Sequence, residues 1–264
     1  MAMTRPARLA WLGLLLGLLS ALLLFAPARW LAEALSRASA QHVQLVNARG
    51  TIWNGQADLL LTGGAGSRST AALPQGLRWR LRPGWADAGP AARLELEAPC
   101  CTPQALQLSV RPGWQHMQLD MAAFQSQWPT DLLTGLGTPW NTLRFDGRLQ
   151  IASPGMTLQW HAGRSRLQGS LDLQAQDLAS RLSTLRPLGS YRFTVDAPAG
   201  SDGATLALQT LQGELLLQGQ GEWIAGRLRF RGEASAATGR EAALANLLNI
   251  IGRRQGDRSL LSIG

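Results

Sequence analysis

The hydrophobic rhythm of the chain changes twice. From Leu9 to Ala28 it reads LAWLGLLLGLLSALLLFAPA, twenty residues without a charge. At about 1.5 Å of rise per helical residue this run spans roughly 30 Å, the thickness of a bilayer's hydrocarbon core. It predicts one transmembrane helix over 9–28, after a cytoplasmic tail over 1–8. The stretch RWLAEALSRASA that follows is rich in good helix formers and predicts a helical linker over 29–41. Beyond residue 42 the dominant period is two, the mark of strands with one buried and one wet face.

The alternation is plainest in LRWRLR, where Leu77, Trp79 and Leu81 point one way and Arg78, Arg80 and Arg82 the other. It returns at Arg93–Glu97, at Leu106–Val110 and at Arg227–Arg231. Strands are predicted over 43–48, 51–61, 77–82, 92–97, 105–111, 115–120, 142–151, 156–161, 165–174, 190–196, 203–209, 211–219 and 224–234. Glycines and Pro-Gly pairs, including RPGW at 82–85 and again at 111–114, punctuate the runs as hairpin turns would.

Two stretches read as helical. PTDLLTGLG, 129–137, is short and broken by Gly135. TGREAALANLLNIIG offers Thr238 as N-cap and Glu241 at the capping-box position, with Leu244, Leu247, Leu248 and Ile251 on one stripe and Gly252 as terminator. That stripe can pack on the sheet or receive a partner. The fold class is therefore mainly β: one or more curved antiparallel sheets with a C-terminal helix, preceded by the membrane helix. The β-rich domain covers 42–264.

The module ARGTIWNGQADLLL, 48–61, places a tryptophan between two glycines just beyond the apolar run. In an extended segment Ile52, Asn54, Gln56 and Asp58 share one face while Trp53 and Ala57 share the other. Trp53 is then a core anchor, and Gly50 and Gly55 allow a turn, a bulge or a close strand approach.

Orientation follows from the ends of the apolar run. Arg5 and Arg8 precede it and Arg29 and Arg37 follow, so charge bias is weak, but a short N-terminal tail is easily kept in the cytoplasm. A cleaved signal peptide is the alternative, with Ala26-Pro27-Ala28 or Ala38-Ser39-Ala40 as its small-residue site. The run exceeds the roughly 7–15 residues usual for such a segment.

The net charge is +8, and all 25 basic residues are arginine. They are spread from Arg5 to Arg258 without the clustered aromatics that a nucleic-acid groove requires, so no nucleic-acid partner is expected. A basic surface does suit anionic lipid or an acidic partner. Cys100 and Cys101 are adjacent, and the Cα separation of about 3.8 Å lies below the usual disulfide range of roughly 4.4–6.8 Å. Free thiols are expected, with a vicinal or intermolecular disulfide as the alternative.

Catalytic signals are weak. His42, His116 and His161 lack metal-site spacing, there is no nucleophile elbow or phosphate loop, and the acidic pairs Glu95/Glu97 and Asp172/Asp177 read as hydrated strand faces. No enzyme, metal or cofactor is expected.

Several segments taken in order resemble protein N of the bacterial type II secretion system, within a wider AsmA-like group: GTIWNGQADL at 50–59, LRWRLRP at 77–83, GTPWNTLRFDGRLQI at 137–151, RPLGSYRFTV at 186–195, LQTLQGELLLQGQGEW at 208–223 and LLNIIGRRQGD at 247–257. The cysteine pair and the GGAGSRST loop depart from that pattern. The resemblance implies a single-pass inner-membrane protein with a periplasmic sheet domain, an accessory to export of folded proteins across the outer membrane. It implies other secretion components as partners, and the wider group adds phospholipid. It brings no catalytic residues. Candidate structural or interaction residues are Gly50, Trp53, Gly55, Arg229, Leu244, Leu247, Leu248 and Ile251.

Overall fold

The computed structural model describes residues 5–86, 89–113, 116–161, 164–201, 203–224 and 227–264. Helix α1 (Arg5–Leu24) carries most of the apolar run, and its described side chains, among them Trp11, Leu16 and Leu23, are exposed. Among the described residues no helix is long and apolar enough to cross a membrane. The side chains of residues 5–10, 12 and 19, four of which fall in the expected span, lie outside the described residues. After Pro27, helix α2 (Ala28–Ala38) turns onto the sheet, burying Ala28 and Ala32.

The rest is one open antiparallel sheet of sixteen strands. Its first half contains β1 (Val43–Gly50), β2 (Asn54–Thr62), β3 (Thr70–Ala72), β4 (Leu77–Ala86), β5 (Gly89–Glu97), β6 (Leu106–Pro112), β7 (His116–Met121) and β8 (Phe124–Pro129). Two short helical turns, α3 (Asp131–Thr134) and α4 (Trp140–Leu143), lead into the long pair β9 (Phe145–His161) and β10 (Arg164–Ser180). Then come β11 (Gly189–Ala197), β12 (Gly203–Gly213), β13 (Leu215–Ile224), β14 (Arg227–Ala236), helix α5 (Glu241–Ile251), β15 (Arg253–Gln255) and β16 (Arg258–Ile263). The spatial order is β1-β2-β4-β5-β6-β7-β9-β10-β11-β12-β13-β14-β16-β15, with β3 on β2 and β8 on β9. Most sequential strands are neighbours, as short connections dictate.

The two-residue period fixes the faces. Register partners Trp79↔Leu96, Leu94↔Leu108, Leu119↔Leu158 and Val195↔Leu206 continue one apolar face across the sheet. Arg80↔Glu95 and Gln118↔Gln159 lie on the other. Arg78–Glu97, Arg80–Glu95, Arg148–Asp177 and Arg192–Asp172 pair there, so both expected acidic pairs are arginine partners on the solvated face. Exposed pairs of this kind are worth little individually, roughly 0–1 kcal/mol.

Three buried clusters sit under the helices. Under α2, Ala28 and Ala32 meet Leu45, Ala57 and Trp79. Near α3, Leu132 meets Leu73, Ala98 and Cys101. Under α5, Leu244, Leu247 and Leu248, all at 0% exposure, pack with Leu188, Tyr191, Leu215 and Ala234. Each leucine buried this completely stabilises the fold by about 1.5–3 kcal/mol. Between β11 and β14 the rings of Phe193 and Phe230 approach to 6.2 Å with two strands between them. They reach one another because Phe230 lies across Gly219 and Gly221, where a Cβ would meet its ring carbons at 2.5 Å and 2.9 Å.

Several expectations need correction. The segment 51–53 is a turn and β2 starts at Asn54. Of the strand expected over 142–151, residues 142–143 end helix α4 and Arg144 caps it, while 145–151 and 156–161 form one strand, β9, which absorbs Ser153-Pro154 as an irregularity in its pairing with β10. The strand expected over 211–219 divides at the β12–β13 turn, because Gly213 with φ of 132° ends β12. Pro83-Gly84 is not a turn: β4 runs through it to Ala86, and pairing with β2 has already ended at Asn54↔Arg80, so the missing proline N–H faces an open side. Arg240, not Thr238, is the N-cap of α5, without a side-chain bond, and Glu241 accepts from the Gly239 amide instead.

Cys100 and Cys101 are joined, with an S–S distance of 2.01 Å. The β5–β6 connection holds them in a tight turn: the amides of Cys101 and Thr102 both donate to the Ala98 carbonyl, and the Thr102 hydroxyl bonds back to the same residue. Adjacency alone could not reveal that turn.

Candidate functional site

The chain between Leu23 and Gly55 makes a junction between the apolar helix and the sheet. Gly50, at φ of 89°, and Gly55 are register partners closing β1 on β2. A Cβ on Gly50 would sit 3.0 Å from the Gly55 Cα, so the strands approach as closely as they do only with hydrogen there. Inside the turn the Thr51 hydroxyl accepts from the Trp53 and Asn54 amides, at 3.3 Å and 3.1 Å, and fixes its shape.

Trp53 is half-buried, and its indole N–H donates to the Leu23 carbonyl at 2.8 Å. Leu23 lies in the last turn of α1, where carbonyls lack helical partners. The Ile52 amide donates to the Ala26 carbonyl at 2.9 Å, and Pro27 bridges to Thr51. The core tryptophan of this region is Trp79, 3% exposed, which lies over Gly55 and donates to the Ile52 carbonyl at 3.1 Å. Trp53 is therefore the clasp at the helix end and Trp79 the anchor in the core. Sequence reasoning made Trp53 a core anchor because it read that residue as strand. The alternation Leu77, Trp79, Leu81 was the signal for Trp79.

At the other end of the sheet Leu244, Leu247 and Leu248 close the core, and Ile251 packs half-buried beside them. The Ser259 hydroxyl donates to the Leu248 carbonyl at 2.6 Å and ties β16 to α5. The stripe is occupied by the sheet. Arg229 stands exposed on β14, just past the point where β16 stops pairing at Phe230↔Ile263. It lines a trough of about 1220 Å³ of mixed character, with Asp196, Gln220 and Glu222 beside Leu208 and Phe230. The junction and Arg229 are not brought together, for ten strands separate β1 from β14 in the strand order.

Asp120 and Tyr191 are among the groups whose surroundings move them from their ordinary values. Burial raises the Asp120 carboxyl, but donors from Gln118, Arg111 and Thr157 outweigh it and hold the group below the usual carboxylate range. Burial pushes the Tyr191 phenol up, and it donates to the Leu215 carbonyl at 3.0 Å. Both groups serve structure: one knits β6, β7 and β9, the other spans β11 to β13. His116 and His161 are direct cross-strand partners, yet among the described residues no cluster of three or more His, Cys, Asp and Glu could hold a metal ion.

No curated protein and no solved structure matches the chain. A family model does, over residues 41–260, from two residues before the first strand to within the last one, taking in the glycine turn at the junction, the sheet and the C-terminal helix. The chain thus belongs to the family described as Type II secretion system (T2SS), protein N.

Proposed function

We propose that the protein is an accessory scaffolding component of the type II secretion machinery, anchored in the bacterial inner membrane through α1, with its N-terminus cytoplasmic and its sheet domain periplasmic. It supports export of folded proteins across the outer membrane and performs no catalysis itself. The observation that carries this reading is the junction, where Trp53 and Ile52 hold the end of the apolar helix against an unbroken sixteen-stranded sheet. A sheet tied in this way is a rigid platform. Its edges, β1 on one side and β16 beyond its short pairing with β15 on the other, carry backbone groups that can pair with a strand of another secretion component. Deleting the gene should leave exoproteins in the periplasm, and restoring it with α1 replaced by a cleavable signal should not rescue export. Full secretion in the deletion strain would sink the proposal.

A second reading, a lipid-binding or lipid-transfer groove, is favoured by one observation. Between the clusters under the helices, Leu119, Leu158, Leu171 and Val195 continue the apolar face while only half-buried. Native mass spectrometry of the detergent-extracted chain separates the two readings. Stoichiometric phospholipid supports the groove, and a bare chain supports the scaffold.

A further inference from the structure

The junction defines one end of the sheet, and the strands that finish there share an unusual composition. The Leu81 amide donates to the Trp53 carbonyl at 2.7 Å, so β4 passes directly beside the clasp. It continues to Ala86, which carries Trp85 about 13 Å past that point at roughly 3.3 Å per residue. Register then places the neighbouring strand ends at the same end: Ala92↔Val110 brings the end of β6 beside the start of β5, and His116↔His161 sets the start of β7 against the end of β9.

On the apolar face of these strand ends stand Trp85, 82% exposed, Met117, 41% exposed, and the half-buried Trp160. On the opposite face Arg82 and Arg93 are direct cross-strand partners, and among the described residues neither is paired with a carboxylate. Two like charges held opposite one another are destabilising unless an anion lies between or above them. The sequence also repeats. QWHAGRSRLQG at 159–169 returns as EWIAGRLRFRG at 222–232, with tryptophan before the shared Ala-Gly and arginines after it. Trp223 and Ile224 are 41% and 51% exposed at that second copy.

A strand end with exposed tryptophan on one face and Arg82 and Arg93 on the other has the composition of a surface seated at a lipid headgroup layer, where the ring reaches the acyl boundary and the guanidinium reaches phosphate. We propose that the strand ends carrying Trp85, Met117 and Trp160, with Arg82 and Arg93, dock on the bilayer that α1 enters, binding its anionic headgroups, so that the sheet stands on the membrane and is not merely tethered to it. The proposal rests on the anchor reading given above.

The test uses the full chain in vesicles of phosphatidylethanolamine and phosphatidylglycerol with brominated acyl chains. Because both native cysteines are joined to one another, an introduced cysteine can be labelled alone with an environment-sensitive fluorophore. Labels at Gly84→Cys and His116→Cys report these strand ends, Gln212→Cys the far end, and Leu18→Cys the anchor. Docking predicts a blue shift and bromine quenching at both strand-end labels, with none at Gln212. Quenching should fall when Trp85→Ser and Arg82→Glu are added, and in vesicles of phosphatidylcholine alone. Strand-end labels as wet as Gln212 overturn the docking proposal. The Leu18 label decides the anchor independently: quenched, it leaves the anchor standing whatever the strand ends report; unquenched, it removes the anchor, and quenched strand ends would then still establish docking.

Discussion

The indole of Trp53 donates to the carbonyl of Leu23 across 2.8 Å, joining the turn between the first two strands to the final turn of the apolar helix thirty residues earlier. This bond lets the sheet follow the helix. Trp53→Phe keeps a ring and removes the donor. One net hydrogen bond is worth about 1 kcal/mol, so the Tm should drop by only about 2–4 °C. Amide exchange at Ile52, which bonds Ala26, should accelerate far more than exchange in β10. Unchanged protection at Ile52 would show that the clasp holds nothing.

Tyr191 is the single tyrosine of the chain, so its ionisation can be read by absorbance without assignment. Its folded-state pKa is raised by burial, so the stability it contributes is complete below the unfolded value of about 10 and is lost as pH rises toward the folded one. The tyrosinate signal should therefore stay absent through that ordinary range and appear together with unfolding. Tyr191→Phe should remove this alkaline sensitivity. A smooth titration near pH 10 in folded protein would refute the burial argument.

Asp120 carries the opposite sign. Its folded pKa is lowered by Arg111, Gln118 and Thr157 against the opposing effect of burial. The stabilisation is present above the unfolded value of about 3.9 and disappears as pH falls through the folded one. Denaturation midpoints of Asp120→Asn and the parent should differ at neutral pH and converge in strong acid. A gap that persists in acid would assign the effect to packing instead.

Phe230, 7% exposed, covers Gly219 and Gly221 on the strand beside it. Phe230→Ala should cost about 3–5 kcal/mol in chemical denaturation. Gly219→Val should also destabilise, because its Cβ would lie 2.5 Å from the Phe230 ring and 3.0 Å from the Arg231 carbonyl. The double variant should be more stable than the sum of the two losses implies, since removing the ring relieves one clash. Strict additivity would mean that ring and glycines do not interact.

The β5–β6 turn yields the simplest check. Alkylation of the denatured, unreduced protein should modify neither cysteine, and alkylation after reduction should modify both. Adducts before reduction would show the thiols to be free.

The amino-acid sequence by itself determined the mainly β class, the faces of the strands and the C-terminal helix, because alternation at period two and recurrence at helical spacing are local consequences of where side chains point. Trp79 and its flanking arginines were legible for that reason, as was the leucine stripe of α5. The role of Trp53 and the joining of Cys100 to Cys101 were not legible, because each depends on a turn or on chain distant in sequence. The alignment of the strand ends was decided only by strand register: the WHAGR and WIAGR segments stand in the sequence as a repeat, but nothing local to them says that Trp85, Met117 and Trp160 share the end of the sheet where the apolar helix arrives.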